Sequence, residues 1–194
     1  MPGEICEFDW GTVKLDIGNT GYQKYQMAVF ASAYGNFRFA KLYLTQDTAA
    51  FQESHADFFA YSYGSFQTMV YDNMKVAVRR FPGLTEKEPT VALTELSIYY
   101  GFKYRFCNIR SGNEKGHVER SVEYVRRKVF SGPECDKFDN LEEANKYLFR
   151  ECMKLNAKKI YDGSIPLETF ETEKQFLLPA MPKFESCIKS TAKV

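Results

Sequence analysis

Several signatures of other protein classes are missing from this chain of 194 residues. No apolar run approaches the ~20 residues that a membrane-spanning helix needs, and the first four residues contain no basic n-region of a signal peptide. The five cysteines are odd in number and have no paired metal-ligand spacing, which favours reduced thiols. We therefore expect a soluble, cytoplasmic protein without a membrane partner.

Two enzyme classes lack the motifs that they need. An ATPase is unsupported because no Gly-x-x-x-x-Gly-Lys-Ser/Thr loop occurs. His117 and Glu119, followed by Pro133 and Cys135, resemble a zinc deaminase only faintly, since the Cys-x-x-Cys of that signature is absent. The other histidine, His55, lies beside phenylalanines in a predicted helix, which favours a core or surface residue over a metal ligand.

Charge is unevenly distributed, although the net charge is only +1. Residues 73–128 contain 12 basic and 6 acidic side chains, whereas residues 1–72 contain 4 basic and 8 acidic ones. A positive middle segment suits a protein that binds phosphates with Lys and Arg. A solvated, charged face is the alternative interpretation.

The order of the predicted elements indicates an α/β fold. A turn at residues 19–21 and the hydrophobic patterns predict a three-stranded antiparallel meander, followed by alternating helices and strands. The predicted strands are 5–17, 25–34, 37–44, 67–71 and 103–108, and the predicted helices are 48–64, 90–100 and 116–129, with a polar loop at 109–115.

The last third of the chain differs from the rest in its predicted secondary structure. A Ser-Gly-Pro break at residues 131–133 precedes a predicted helix near 141–160, and three prolines follow in a segment that reads as extended. We expect residues 1–162 to form one core, and residues 163–194 to be an extended linker toward an absent C-terminal domain.

Three acids stand in distinctive settings far apart in the chain. Asp9 interrupts an apolar predicted strand, Asp72 ends another, and Glu119 lies near the start of a predicted helix. Each has an ordinary alternative: a strand-edge polar residue, a turn residue and a solvent-facing helix residue. Composition alone does not separate Glu119 from Glu114 or Glu123, and Glu123 lies one turn later on the same predicted face.

Carboxylates that crowd into one pocket need a cation. Two carboxylates ~4 Å apart repel each other by about 4 kcal/mol when the effective dielectric constant is ~20. Divalent metal relieves this repulsion, and hard oxygen ligands suit Mg²⁺ or Mn²⁺. Two such ions can activate an attacking oxygen and stabilise the leaving oxygen of a phosphodiester displacement.

These stretches resemble the catalytic core of bacterial insertion-sequence transposases of the IstA type, a branch of the retroviral-integrase-like DDE recombinases. The Phe8-Asp9-Trp10-Gly11 stretch, Asp72-Asn73 and the run from Asn113 to Arg120 carry the resemblance, which extends to the tail at residues 170–179. It implies a ribonuclease H-like integrase core with a five-stranded mixed sheet flanked by helices.

The resemblance also implies a mechanism and partners. Asp9, Asp72 and Glu119 would be the catalytic residues and the ligands of two Mg²⁺ ions, with Mn²⁺ as a substitute. DNA, both transposon ends and target, would be the substrate of strand cleavage and strand transfer. A helper AAA+ ATPase, a homo-oligomer on DNA and a bacterial, nucleoid-associated location follow from the family.

Basic residues near the three acids are the predicted phosphate contacts. They are Lys75, Arg110, Lys115, Arg120, Arg126 and Arg127. Some of these side chains have Glu114 or Glu123 as an alternative, intramolecular partner.

Other functions remain open at this point. Full-length members of the family have helix-turn-helix modules before the core and a small β-domain after it, so we expect end recognition by this chain to be weak or lost. A catalytically silent DNA-binding or assembly module is the main alternative. A cellular nuclease with the same fold, which cuts but never joins ends, is another.

Overall fold

The protein's structure is a computed structural model. It describes residues 1–72, 74–80, 88–107, 112–132 and 135–185, and for residues 79–80 and 112–119 it describes the backbone only. No helix in these ranges is long and apolar enough to cross a bilayer.

An antiparallel meander begins the fold, as the sequence predicts. Strand β1 (Ile5–Ile17) pairs with β2 (Tyr22–Ser32), and β2 pairs with β3 (Arg38–Tyr43). The turn between β1 and β2 places Gly18, Asn19 and Gly21 at positive φ, a conformation that glycine and asparagine adopt readily. The register is continuous, and Asp9 lies opposite Val29.

Parallel strands complete a mixed sheet with the path β3-β2-β1-β5-β8. A short strand, β9, pairs parallel with the far end of β1 and adds a sixth strand to the five that were predicted. The strands after the meander are β4 (Gly64–Ser65), β5 (Thr68–Tyr71), β6 (Val78–Arg80), β7 (Glu88–Pro89), β8 (Lys103–Phe106), β9 (Lys137–Phe138) and β10 (Leu178–Pro179).

Helices cover both faces of the sheet. They are α1 (Thr48–Ser62), α2 (Val91–Tyr100), α3 (Gly112–Phe130), α4 (Leu141–Asn156) and α5 (Pro166–Lys174). Predicted caps fix two of the boundaries: an Asp47 carboxylate oxygen accepts from the Ala50 N–H at 2.9 Å, and Gly101 ends α2 in the left-handed conformation. The predicted α/β fold, a mixed sheet flanked by helices, is confirmed.

The sheet separates two hydrophobic cores. One face of β1 contributes Cys6 and Phe8 to a core shared with α1, α2 and α5. The opposite face contributes Val13 and Leu15 to a core shared with α3 and α4. A β1 side chain therefore belongs to one core or the other according to its parity along the strand.

Two helix boundaries differ from the predictions. Helix α3 begins at Gly112, so residues 112–115 of the predicted loop are helical. The Gly and Asn that suggested a loop are only weak helix breakers, which tertiary context overrides. Helix α4 ends at Asn156, before the predicted limit near 160, where the chain turns through a hydrogen bond from Ile160 N–H to the Ser164 carbonyl.

The expectation of an extended conformation after residue 162 is wrong over α5. Pro166 occupies the first helical turn, where its missing N–H costs no hydrogen bond. Phe170 is fully buried and stacks on Phe37, with ring centroids 3.8 Å apart. Packing of this ring into the core stabilises α5. The sequence interpretation missed this helix because it took the prolines as evidence for an extended chain.

Glu173 on α5 is an ionisable group in the core. Its side chain is fully buried, and neither carboxylate oxygen has hydrogen-bond geometry to a partner within the described ranges. Desolvation raises the pKa of Glu173, and the nearby Ser32 hydroxyl and Gly3 N–H offset this effect only in part.

We expect Glu173→Gln to stabilise the protein at neutral pH by about 1–3 kcal/mol, because burial of a neutral amide costs less than burial of a carboxylate without a hydrogen-bond partner. Because the folded-state pKa is raised, the wild-type carboxyl disfavours folding increasingly as pH rises above its unfolded value of about 4.3. Urea unfolding at pH 5 and pH 8 should therefore show a larger gain at pH 8. Exposed Glu168→Gln is the control, and equal gains in both variants would contradict the assignment.

Candidate active site

Asp9 lies on β1, and Asp72 directly follows the last residue of the neighbouring strand β5. The residues just before them, Phe8 and Tyr71, are register partners in the parallel β1–β5 pair, and their rings lie 5.9 Å apart in the α1-side core. Because side chains alternate along β1, Asp9 projects toward the face opposite Phe8, and Asp72 begins the segment that follows the paired strand β5. The register thus places two acids that are 63 residues apart in the sequence at the same level of the sheet.

The two carboxylates have the chemistry of a divalent-cation site. Both residues are half-buried, and an Asp9 carboxylate oxygen accepts a hydrogen bond from the Trp10 N–H at 2.8 Å. Hard anionic oxygens suit Mg²⁺, which usually takes one or two protein carboxylates. Within the described residues, no group of three His, Cys, Asp or Glu side chains has metal-binding geometry, and the Glu119 side chain lies outside those residues.

Helix α3 crosses β1 on the Asp9 face at Gly11. A Cβ at Gly11 would lie only 2.6 Å from Cγ1 of Val122, so only glycine permits this approach. Glu119 lies three residues before Val122, one helical turn closer to the start of α3. With α3 beginning at Gly112, Glu119 is in the third turn and not in the first turns that were predicted.

We expect Gly11→Ala to displace α3 from the sheet. Overpacking of this kind typically costs about 1–3 kcal/mol, and a shift of α3 also moves residue 119 relative to Asp9, so Mn²⁺ affinity should fall together with stability. Denaturant unfolding and calorimetric titration with Mn²⁺ measure the two effects.

Val122→Ala is the matched partner for a double-mutant cycle. It removes the Cγ1 atom that a Cβ introduced at Gly11 would strike, so the double variant should recover stability and Mn²⁺ affinity relative to Gly11→Ala. Additive losses in the double variant would show that this contact does not set the helix position.

His55 does not take part in the candidate site. Its ring nitrogens lie 2.8 Å from the Phe51 carbonyl oxygen and 2.9 Å from the Tyr71 hydroxyl, inside the core. Burial lowers the pKa of His55 to about 3, so the ring is neutral at physiological pH. The bond to Tyr71 supports the end of β5, where Asp72 follows.

Four of the six predicted phosphate contacts have side chains that the structure describes, and they lie on different segments. Lys75 is exposed three residues after Asp72, Arg120 is exposed on α3, and Arg126 and Arg127 are exposed near the far end of that helix. Arg126 forms an ion pair with Glu123, the alternative partner that the sequence suggested. Arg110 lies outside the described residues, as does the side chain of Lys115.

Two lysines that the sequence interpretation missed extend the basic surface. Lys14 and Lys24 are register partners on β1 and β2, and with Arg126 and Arg127 they line a groove of about 490 Å³. The sequence could have indicated that these two lysines are neighbours, because a hairpin with its turn at the predicted residues 19–21 pairs positions 14 and 24. Such a surface is suited to phosphates.

Comparisons with known proteins support the predicted resemblance. A transposase of Aminobacter aminovorans is 30% identical over 196 residues, covering 100% of this chain and 38% of the relative. The transposase for insertion sequence element IS21 of Pseudomonas aeruginosa is 27% identical over 154 residues, covering 76% of this chain and 37% of that protein. The chain therefore spans less than two fifths of the length of these relatives. No protein-family model matches it.

A solved structure supports the fold. The HTLV-2 integrase catalytic core domain, in a dimeric form in complex with magnesium, superimposes with a TM-score of 0.63 and 13% sequence identity. The match covers 88% of this chain and 97% of that domain.

Proposed function

We propose that this chain, which is similar over its length to insertion-sequence transposases and has the integrase-core fold, is the catalytic core of a DDE transposase. The observation that supports the proposal is the register of β1 and β5, which pairs Phe8 with Tyr71, the residues that precede Asp9 and Asp72. The activity is metal-dependent DNA strand cleavage and strand transfer.

Asp9, Asp72 and Glu119 would hold divalent cations, Mg²⁺ or Mn²⁺ in its place. Two bound ions supply activation of the attacking oxygen and stabilisation of the leaving oxygen. The protein's own contribution is positional: β1 and β5 fix two carboxylates relative to each other, and α3, packed at Gly11, fixes the third position. Asp9 would contact both ions, Asp72 one and Glu119 the other.

The substrate in this proposal is DNA, with water as the nucleophile in cleavage and a DNA 3′-hydroxyl in joining. The exposed Lys75, Arg120, Arg126 and Arg127, with Arg110 and Lys115, would contact its phosphates. A homo-oligomer on DNA, a helper AAA+ ATPase and a cytoplasmic, nucleoid-associated location complete the proposal. In it, residues 1–162 are the core, α5 is docked on that core, and the remainder of 163–194 is a linker.

A branched DNA that mimics a strand-transfer product tests the proposal without requiring end recognition. The chain should reseal the DNA and release the branch with Mn²⁺ but not with chelator, and Asp72→Asn should abolish the reaction. A folded, DNA-binding wild-type chain that does not react would favour a silent assembly module. Cutting of the branch without resealing would favour a nuclease.

The choice among neighbouring glutamates is tested by two matched substitutions on α3. We expect Glu119→Gln to remove resealing, whereas Glu123→Gln should retain it, because Glu123 is already engaged with Arg126. Single-turnover rates on the branched DNA measure both. Loss of activity in Glu123→Gln with normal Glu119→Gln would reverse the assignment.

A further inference from the structure

Arg38 at the start of β3 is a half-buried cation held by α3. Its Nε donates a hydrogen bond to the Ser121 hydroxyl at 3.0 Å, and its guanidinium carbon lies 4.8 Å from the ring centroid of Tyr124. Both partners fix the orientation of the guanidinium, and neither neutralises its charge.

No carboxylate forms an ion pair with Arg38 in the part of the chain that the structure describes. The contrast is Lys41 on the same strand, which pairs with both Asp57 and Glu53. Desolvation lowers the pKa of Arg38, as expected for a cation that is withdrawn from water. A desolvated charge without a counter-ion is destabilising, so its presence calls for a ligand or another compensating role.

The guanidinium lines a pocket of about 350 Å³. Asn36, Arg120 and Tyr161 form the rest of its described lining. The described lining thus contains two guanidinium groups, an amide and a phenol, and the forked donors of arginine match the oxygens of a phosphate. The chemistry of the pocket is therefore that of an anion site.

The pocket lies on the face of the sheet that also carries Asp9. Ala31 is the register partner of both Glu7 and Arg38, so these three residues form a row across β1, β2 and β3. Asp9 is two residues beyond Glu7 on the same face. The Cα atoms of Arg38 and Asp9 are separated by two inter-strand distances across the sheet and by two residues along β1. These perpendicular displacements combine to about 12 Å.

We infer that Arg38 and Arg120 bind a phosphodiester of the DNA strand whose reacting phosphate lies at Asp9 and Asp72. The estimated Cα separation of about 12 Å is short enough for one DNA strand to contact both places. The inference rests on the proposed function and adds a contact that the sequence interpretation did not include, Arg38.

Arg38→Met separates binding from folding, because methionine keeps the aliphatic bulk and removes the charge. We expect its melting temperature to equal or exceed that of the wild type, since an uncompensated buried charge is gone. Inorganic phosphate should raise the melting temperature of the wild type but not of the variant. The slope of log K against log salt for duplex DNA, measured without divalent metal, should fall by about one.

Arg150→Met is the control, because Arg150 also stacks on a tyrosine, Tyr147, but pairs with Glu151. It should change neither the phosphate effect nor the salt slope. A lower melting temperature for Arg38→Met with an unchanged salt slope would make Arg38 a structural cation and overturn the inference, as would equal slope changes in the control. If Arg38→Met does not fold, Arg38→Gln, which keeps a donor for Ser121 and removes the charge, gives the decisive slope.

The two proposals fail in distinguishable ways. If the wild-type chain binds phosphate and DNA through Arg38 but never reseals branched DNA, the anion site is supported and the proposed catalytic function is contradicted. Resealing by wild-type protein, with no change in salt slope in Arg38→Met, would remove the DNA contact alone. If phosphate raises the melting temperature only when Arg38 is present, but Arg38→Met leaves DNA binding unchanged, the pocket is a site for free phosphate. This result would overturn the inference.

Discussion

Replacing Asp9 with asparagine should abolish metal-dependent strand transfer while leaving DNA binding in the absence of metal nearly unchanged. Asparagine preserves shape but removes the charge and one of the two anionic oxygens that would bind a cation. Loss of an outer-shell partner of a metal site already costs about 10–100-fold in affinity or activity. Loss of a direct ligand should therefore exceed roughly 100-fold in the single-turnover rate.

Stability gives an independent measure of the same substitution. Without metal, Asp9→Asn relieves the repulsion between neighbouring carboxylates and should raise the melting temperature, whereas the increase that Mn²⁺ gives the wild type should disappear. Asp16→Asn, on the same strand but near its far end, should keep the Mn²⁺ effect. A Mn²⁺ effect that survives in Asp9→Asn would remove Asp9 from the metal site.

The largest effect on stability is expected from two asparagines of α4. Asn145 bonds to both the N–H and the carbonyl of Leu42, at 2.7 and 3.1 Å. Asn156 bonds to the same two groups of Arg38, at 3.0 and 2.8 Å. The side-chain amides thus satisfy the outer edge of β3, where an unpaired strand would expose backbone donors and acceptors.

The double variant Asn145→Leu, Asn156→Leu leaves four backbone groups without partners beneath α4. At about 1–3 kcal/mol for each unsatisfied group, the loss is comparable with the whole stability of a domain, about 5–15 kcal/mol. We expect an unfolded or aggregating protein, by circular dichroism and gel filtration, and intermediate single variants by urea unfolding. Exposed Lys146→Leu is the control, and a double variant as stable as this control would contradict the edge role.

Much of the architecture is predictable from local sequence. The turn at 19–21, the cap at Asp47 and the left-handed stop at Gly101 each have a local physical cause, and each boundary lies where the sequence indicated. The pairing of Asp9 with Asp72 was predicted through the resemblance. The strand register supports it, because that register depends on which apolar residues must share a face.

Interactions between distant elements were not predictable in the same way. The contacts of Asn145 and Asn156 with β3, and of Gly11 with Val122, depend on how helices approach the sheet, which no local pattern encodes. Helix α5 was missed because a proline is read as a break unless the residue that anchors the helix, Phe170, is known to be buried. In each case a single side chain acquires its role from a partner far away in the chain.

The most direct test of the account is a crystal structure of the protein with Mn²⁺, read from the anomalous difference map. We expect a peak between the carboxylates of Asp9 and Asp72, about 2.1 Å from an oxygen of each, because small hard cations bind oxygen at this distance. A carboxylate oxygen of Glu119 should also coordinate the bound Mn²⁺. Mn²⁺ bound elsewhere, with no peak at Asp9 and Asp72 in a crystal of folded wild-type protein, would contradict it.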